Sequence, residues 1–429
     1  MKLWNRLAAV AGVTLWAGAA VAQPVTVRMW MHEHPPRIAI DKAIIAEFEK
    51  ANPDIKIQYD VIGVADYPTK LLTAFAAGSG PDIFNYSSML VNQYYNARIL
   101  APIDYAAMGL ADEKALTSQY TSGFDGIRFQ GKLHGVPTEV SNWACFANKA
   151  LWKEAGLDPA KDFPTTWEAL PAIAEKLTVR DQNGIPRRRG FDFNWPNRAS
   201  FWFLPNTMLH QLGATLMDET AYKVSFDTPA GRKVFHYFQD WAVKNRLGGP
   251  QYMDSRTDFL GGRLATDCSF GIWGIPQMEA AKIDWSVHKA PRFEGAVSDN
   301  GIDIYAFYMM VNARSTVPAQ KAAWKMVRFY TDHAAELFAG AGLFVPRKEV
   351  TENASFKANS AAPLFMQELA KGQFSPRVVG YDPVVDAVLR GRDRMIQGEA
   401  VEKVLPDIDA EVNAVLNRER ARAAAMAKQ

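Results

Sequence analysis

Residues 25–84 read VTVRMWMHEHPPRIAIDKAIIAEFEKANPDIKIQYDVIGVADYPTKLLTAFAAGSGPDIF, and the changes of hydrophobic period along this stretch decide the fold. Val25, Val27 and Met29 alternate with Thr26 and Arg28, the period-two pattern of a strand half buried on one face. A loop is expected from Trp30 to Pro36. Ile40, Ile44, Ile45 and Phe48 then recur at helical spacing until Asn52-Pro53, where proline cannot supply the next backbone donor. Ile55, Ile57, Tyr59 and Val61 alternate again. Leu71, Leu72 and Phe75 mark a second helix, which Gly78-Ser79-Gly80-Pro81 breaks before the short apolar strand at Ile83-Phe84.

Strand, helix, strand, helix, strand with short connections implies parallel strands, because parallel neighbours need a crossover and a helix usually supplies it. In such sheets ligands collect beyond the carboxyl ends of the strands. That rule selects Trp30 to His34, Gly63 to Tyr67 and Tyr86 to Ser88 as candidate site segments. The Gly78 loop precedes a strand, so it reads as a tight turn and not as a phosphate cradle.

Outward from this stretch, a second α/β segment begins near Gly135-Val136-Pro137. It has an extended run through Phe146 and helices over Lys149–Ala155, Trp167–Leu177 and Arg232–Lys244. Arg187-Arg188-Arg189 reads as a solvated turn. Near the end, Val404, Ile408, Val412 and Leu416 at four-residue spacing predict an amphipathic helix. At the other end, Lys2 and Arg6, the apolar run Leu7–Ala20 and small residues at Ala20 and Ala22 form the pattern of a cleaved secretory leader over residues 1–22. No cysteine follows the apolar run, so a free periplasmic protein is expected, not a lipid-anchored one.

The 429 residues are too many for one core and suit two domains. A formal net charge of +2 argues against nucleic acid or a membrane surface as partner. Cys145 and Cys268 are the only cysteines, enough for one bridge or for two small buried hydrophobes, but not for a metal cluster.

The order of segments resembles family 1 extracellular solute-binding proteins, the group that includes maltose-binding protein. The resemblance rests on Ile44 to Pro53 (IIAEFEKANP), Tyr67 with Lys70-Leu71-Leu72, and Gly78 to Ile83 (GSGPDI). It continues through Gly135-Val136-Pro137, Asn148-Lys149 with Leu151, Ala155-Gly156-Leu157, Pro164 to Trp167, Gly271 with Trp273, Ala323-Trp324 through Phe329, and Pro346-Arg347. It implies an α/β, two-lobed periplasmic binding protein fold of type II, each lobe a mostly parallel sheet flanked by helices. One lobe would take residues 24–137 and 291–343, the other 138–290 and 344–429. Crossings would lie near Thr138 to Asn142, Ser286 to Ala290 and Leu343 to Pro346. The implied activity is non-catalytic capture of a carbohydrate or a related polyol by lobe closure and delivery to a membrane ABC permease, by a monomer without cofactor or metal.

A sugar offers hydroxyls that need directed donors and acceptors, and C–H faces that pack on aromatic rings. On the first lobe His32 and Glu33 follow strand one, Asp66 follows strand two, and Tyr86 and Ser87 follow strand three. Glu139, Ser141 and Asn142 lie in the first crossing, where the resemblance implies ligand contacts, and Glu139 leads the polar candidates. The resemblance also makes Trp273 the candidate stacking platform. Trp195, Asp303 and Arg347 complete the set, and Arg347 in the cleft would favour a sulfonate, phosphate or carboxylate ligand. Two rival classes are weaker. A carbohydrate-active enzyme lacks a recognisable acid and nucleophile pair. A metal receptor rests only on His32-x-His34 and Tyr94-Tyr95.

Overall fold

The computed structural model describes residues 23–427, apart from Ala65, Glu219, Thr220 and Val379. The leader expected over residues 1–22 lies outside the described residues. Two five-stranded sheets organise the chain. Their strands, in chain order, are β1 (Val25–His32), β2 (Ile55–Ile62), β3 (Ile83–Ser87), β4 (Val136–Ser141), β5 (Ala144–Asn148), β6 (Val179–Arg180), β7 (Pro186–Phe191), β8 (Leu264–Phe270), β9 (Trp285–His288) and β10 (Tyr305–Val311). The first sheet has the order β2-β1-β3-β10-β4 and the second β9-β5-β8-β7-β6.

The opening stretch folds as its periodicity dictates. Val27, Met29 and Met31 point into the core, and β1 pairs in parallel with β2 and β3. The helix Pro35–Ala51 starts earlier than the expected loop allowed. Two prolines fit its first turn because their missing N–H groups have no partner there in any case. It ends where Asn52 turns its amide back onto the carbonyl of Phe48 at 2.8 Å.

The extended run from Val136 to Phe146 is not one strand. Ser141 still pairs with Tyr305 in the first sheet, whereas Ala144 pairs with Phe270 in the second. The backbone therefore passes from one sheet to the other at Asn142-Trp143. It returns between β9, which pairs with β5, and β10, which pairs with β3 and β4. At Phe344 it touches the first crossing again, where the Val140 N–H donates to the Phe344 carbonyl at 2.9 Å.

The sheets are less parallel than the sequence implied. β10 enters the first sheet between β3 and β4 and runs against both. In the second sheet only β7 and β8 pair in parallel, since β5 is flanked by two strands running the other way. A strand that arrives from the other half carries no obligation to run parallel, because no local crossover helix joins it to its neighbour.

The helix Ser200–Gln211 is buried at every position except His210. The terminal helix Val401–Ala427 buries Val404, Ile408, Val412 and Leu416, as their spacing predicts. Its Asp409 accepts from the N–H groups of Phe226 at 2.6 Å and Asp227 at 2.9 Å, which fixes it to the second half of the molecule. The arginine run is not a solvated turn. It lies in β7, where Arg188 pairs with Glu154 and buried Arg189 pairs with Asp192 and Asp258. Cys145 of β5 and Cys268 of β8 are joined in a disulfide across neighbouring strands.

Candidate functional site

In the first sheet β1, β2 and β3 run the same way, and β4 shares that direction because both β3 and β4 oppose β10. The carboxyl ends of β1, β3 and β4 therefore gather at one edge with the amino end of β10. His32, Tyr86, Glu139, Ser141, Tyr305 and Phe307 meet there by topology alone. The His32 and Phe307 rings lie 4.5 Å apart, the Tyr86 and Phe307 rings 6.3 Å, and the Tyr67 and Tyr86 rings 5.6 Å.

The second sheet delivers Trp273 to this edge. β8 ends at Phe270, and Gly271 begins the short turn that carries the indole. A Cβ on Gly271 would lie 2.4 Å from the Trp273 Nε1 and 2.7 Å from the Ser141 Oγ, so only glycine lets the two crossing-side groups meet. The Trp273 N–H donates to the Tyr305 hydroxyl, which donates to Glu139 Oε1 at 3.0 Å. This hydrogen-bonded chain runs from one sheet to the other. Phe203 stacks on Tyr305 and meets Trp143, which continues the aromatic lining on the second side.

Glu139 is buried, and burial pushes its carboxyl up to about 7, against the opposing pull of the Tyr305 hydrogen bond and the charge of Arg37. Arg37 is itself buried and held by Asp41 at 3.0 Å. Asn142 is fully buried, and neither its side-chain oxygen nor its side-chain nitrogen has a hydrogen-bond partner in the protein. An unsatisfied buried amide costs about 1–3 kcal/mol, a cost that a bound water or ligand removes. Ser141 is buried beside it and donates to the Asn142 carbonyl at 3.1 Å.

The other expected residues divide. His32 is buried at the edge, with its Nδ1 2.8 Å from the Asn85 amide nitrogen, and burial holds its ring well below the usual histidine range. Tyr86 faces the second half. Burial drives its hydroxyl well above the usual phenol range, and Asp382, Tyr381 and Arg198 are close enough to act on it. Ser87 is half-buried and accepts from the Met89 N–H at 3.4 Å. Glu33 stands at the same edge but is exposed.

Four residues leave the site. Asp66 is exposed and pairs with Lys70 at 3.7 Å on its own helix. Trp195 is a core residue: it is 1% exposed and donates to Asp192 at 2.6 Å, because its proline-bounded loop packs inward. Arg347 is committed to Asp332 at 2.8 Å and Glu349 at 2.6 Å, with its guanidinium over Tyr120, so no free fork faces a ligand. Asp303 is a buried junction that accepts from Asn206 at 2.6 Å, Thr207 at 2.8 Å and Ser375, and burial raises its carboxyl to about 7.

Sequence reasoning missed Tyr305, Trp143 and Phe203, which the structure brings to this edge. Tyr305 had a usable signal, since it opens the apolar run that returns the chain to the first sheet; the others had none.

Two halves with separate sheets, joined by narrow crossings where aromatic and polar side chains converge, define a two-lobed solute-binding protein. A family model described as bacterial extracellular solute-binding protein matches residues 34–337, and the chain belongs to that family. Among curated relatives it is 22% identical to the maltotriose-binding protein of Pyrococcus abyssi over 395 residues, 91% of this chain and 80% of that one. Its fold matches an ABC substrate-binding protein of Listeria monocytogenes in complex with cycloalternan, with TM-score 0.80, 20% identity, and 92% and 100% of the two chains covered. It also matches a solute-binding protein of Thermotoga lettingae bound with α-D-tagatose, with TM-score 0.80, 22% identity, and 91% and 100% covered. Among the described residues no helix is long and apolar enough to cross a membrane.

Proposed function

We propose that this chain is the substrate-binding component of an ABC importer, which captures a carbohydrate or sugar derivative between its lobes and hands it unaltered to a membrane permease. In this reading residues 24–137 and 291–343 close against residues 138–290 and 344–429, bending at the crossings. The observation that carries it is the chain Trp273–Tyr305–Glu139, which bridges the two sheets beside the unpartnered amide of Asn142. The indole supplies a face for a sugar ring, Glu139 and Ser141 supply hydroxyl partners, and Asn142 supplies one donor and one acceptor. Ligand contacts to both lobes stabilise the closed state, and that differential affinity shifts the population toward closure. The relatives named above, which bind maltotriose, cycloalternan and tagatose, support a polyhydroxy ligand. Export through the leader, release without a lipid anchor and a monomeric state complete the proposal.

A thermal-shift screen of the full mature chain against sugars, polyols and sugar acids tests it, because bound ligand raises the melting temperature by mass action. Mass spectrometry of the released ligand separates capture from chemistry. A stabilising sugar recovered unchanged is expected, and a hydrolysed product would overturn the receptor reading.

A further inference from the structure

Arg256 sits in the first turn of the helix Ser255–Leu260, on the second-sheet side of the bridge. Its Nε and Nη2 both donate to the Ser269 carbonyl, at 2.8 and 2.5 Å. Its guanidinium carbon lies 5.0 Å from the ring centre of Trp273 and 5.3 Å from that of Trp143, the residue that follows Asn142 in the crossing. The two indoles flank the group without using its N–H donors.

Three other arginines of this region are neutralised. Arg37 pairs with Asp41, Arg198 with Asp382 and Asp386, and Arg347 with Asp332 and Glu349. Arg256 differs: among the described residues no carboxylate oxygen comes within 4.0 Å of its nitrogens. Asp267 is near enough to feel its charge; one of its oxygens accepts from the N–H and hydroxyl of Ser269 at 2.6 and 2.7 Å, and the other is buried without a hydrogen-bond partner in the protein, yet neither reaches the guanidinium. A guanidinium carries five N–H donors and stays charged at any physiological pH. One carbonyl oxygen leaves most of those donors unused. A neutral hydroxyl would engage one of them, whereas a carboxylate or phosphate matches the fork with two parallel bonds and cancels the charge.

We propose that the ligand of this cleft is an anionic polyhydroxy compound, a sugar acid or a phosphate ester, whose acidic group binds Arg256 while its hydroxylated body meets Asn142, Trp273 and Glu139. This rests on the receptor reading and narrows its substrate class. The anion-binding role that the sequence suggested for Arg347, whose guanidinium is taken by Asp332 and Glu349, passes in this proposal to Arg256.

The test titrates the full mature chain with D-glucuronate and sn-glycerol 3-phosphate, and with D-glucose and glycerol as neutral counterparts, by thermal shift and calorimetry. At least one anion is expected to bind more tightly than its counterpart, and which of the two does so tells carboxylate from phosphate. Arg256→Gln should weaken that anion about 10- to 100-fold, the loss of a charge-assisted pair, and Arg256→Lys should retain part of the affinity. Raising salt from about 0.05 to about 0.5 M should weaken the unsubstituted protein as well, which keeps the test open if a variant fails to fold. Failure of both anions to bind, or unchanged anion affinity in Arg256→Gln, overturns the proposal. If D-glucose binds and neither anion does, this inference falls and the receptor reading stands. If no sugar, polyol or sugar acid binds at all, both fall.

Discussion

Replacing Glu139 with glutamine should change how stability depends on pH, by an amount the structure fixes. In the unfolded chain this glutamate has its ordinary value of 4.5, and in the folded chain burial raises it to about 7. Below pH 4.5 the carboxyl is protonated in both states and the shift contributes nothing. Between 4.5 and about 7 the folded state holds the proton that the unfolded state has released, so stability falls as pH rises. Above about 7 the penalty is complete, about 3 kcal/mol for a gap of this size. Glu139→Gln keeps an oxygen to accept from Tyr305 and has no proton to lose. Urea unfolding of the ligand-free protein from about pH 4 to about pH 8.5 should show the variant losing about 3 kcal/mol less than the unsubstituted chain. Asp303 and Asp192, also raised by burial, add pH dependence of the same sign to both proteins and cancel in the difference. Two curves that stay parallel across the range would refute the assignment of a proton to Glu139.

Trp273→Ala should weaken ligand binding by about 1–3 kcal/mol through lost stacking and burial, and an unchanged calorimetric affinity would remove Trp273 from the site. Asp303→Ala strands three donors, those of Asn206, Thr207 and Ser375. It should cost at least about 3 kcal/mol in chemical denaturation, and a loss below about 1 kcal/mol would contradict its role as a buried junction. Opening the Cys145–Cys268 bridge, whose partners are 123 residues apart in sequence, by the double serine variant should lower stability by about 2–5 kcal/mol. Equal denaturation midpoints with and without reductant would contradict a formed bridge. Arg347→Gln should leave ligand affinity within about twofold while lowering stability, since its partners are protein carboxylates; a large loss of affinity would return Arg347 to the cleft.

The opening strands and helices were legible because the hydrophobic period changes along the stretch and each helix-to-strand change coincides with a breaker, Asn52-Pro53 or Gly78 to Pro81. Pro35-Pro36 read as loop because proline stops one helix and starts another, and only the packing of the helix behind it tells which. Along Val136–Phe146 alternation alone does not show the passage between sheets, since it records which face of a strand is buried but not which sheet it joins; the expected crossing near Thr138 to Asn142 came from the resemblance. In the candidate site, His32 and Tyr86 came from the rule that strand ends gather polar groups, whereas Glu139, Ser141 and Asn142 came from the resemblance, which places ligand contacts in the first crossing. Trp195 was misjudged because an aromatic in a proline-bounded loop gives the same sequence whether it packs inward or outward. Arg347 and Arg256 were indistinguishable as letters. What separates them is the company of Asp332 and Glu349 around one and of two indoles around the other.

The bond between Val140 and Phe344 ties two of the segments that pass between the halves to each other, so in the proposed closure they would form one seam and not two separate joints. A turn about that seam would keep the bond, and a partner that distinguishes open from closed would then meet the same seam in both.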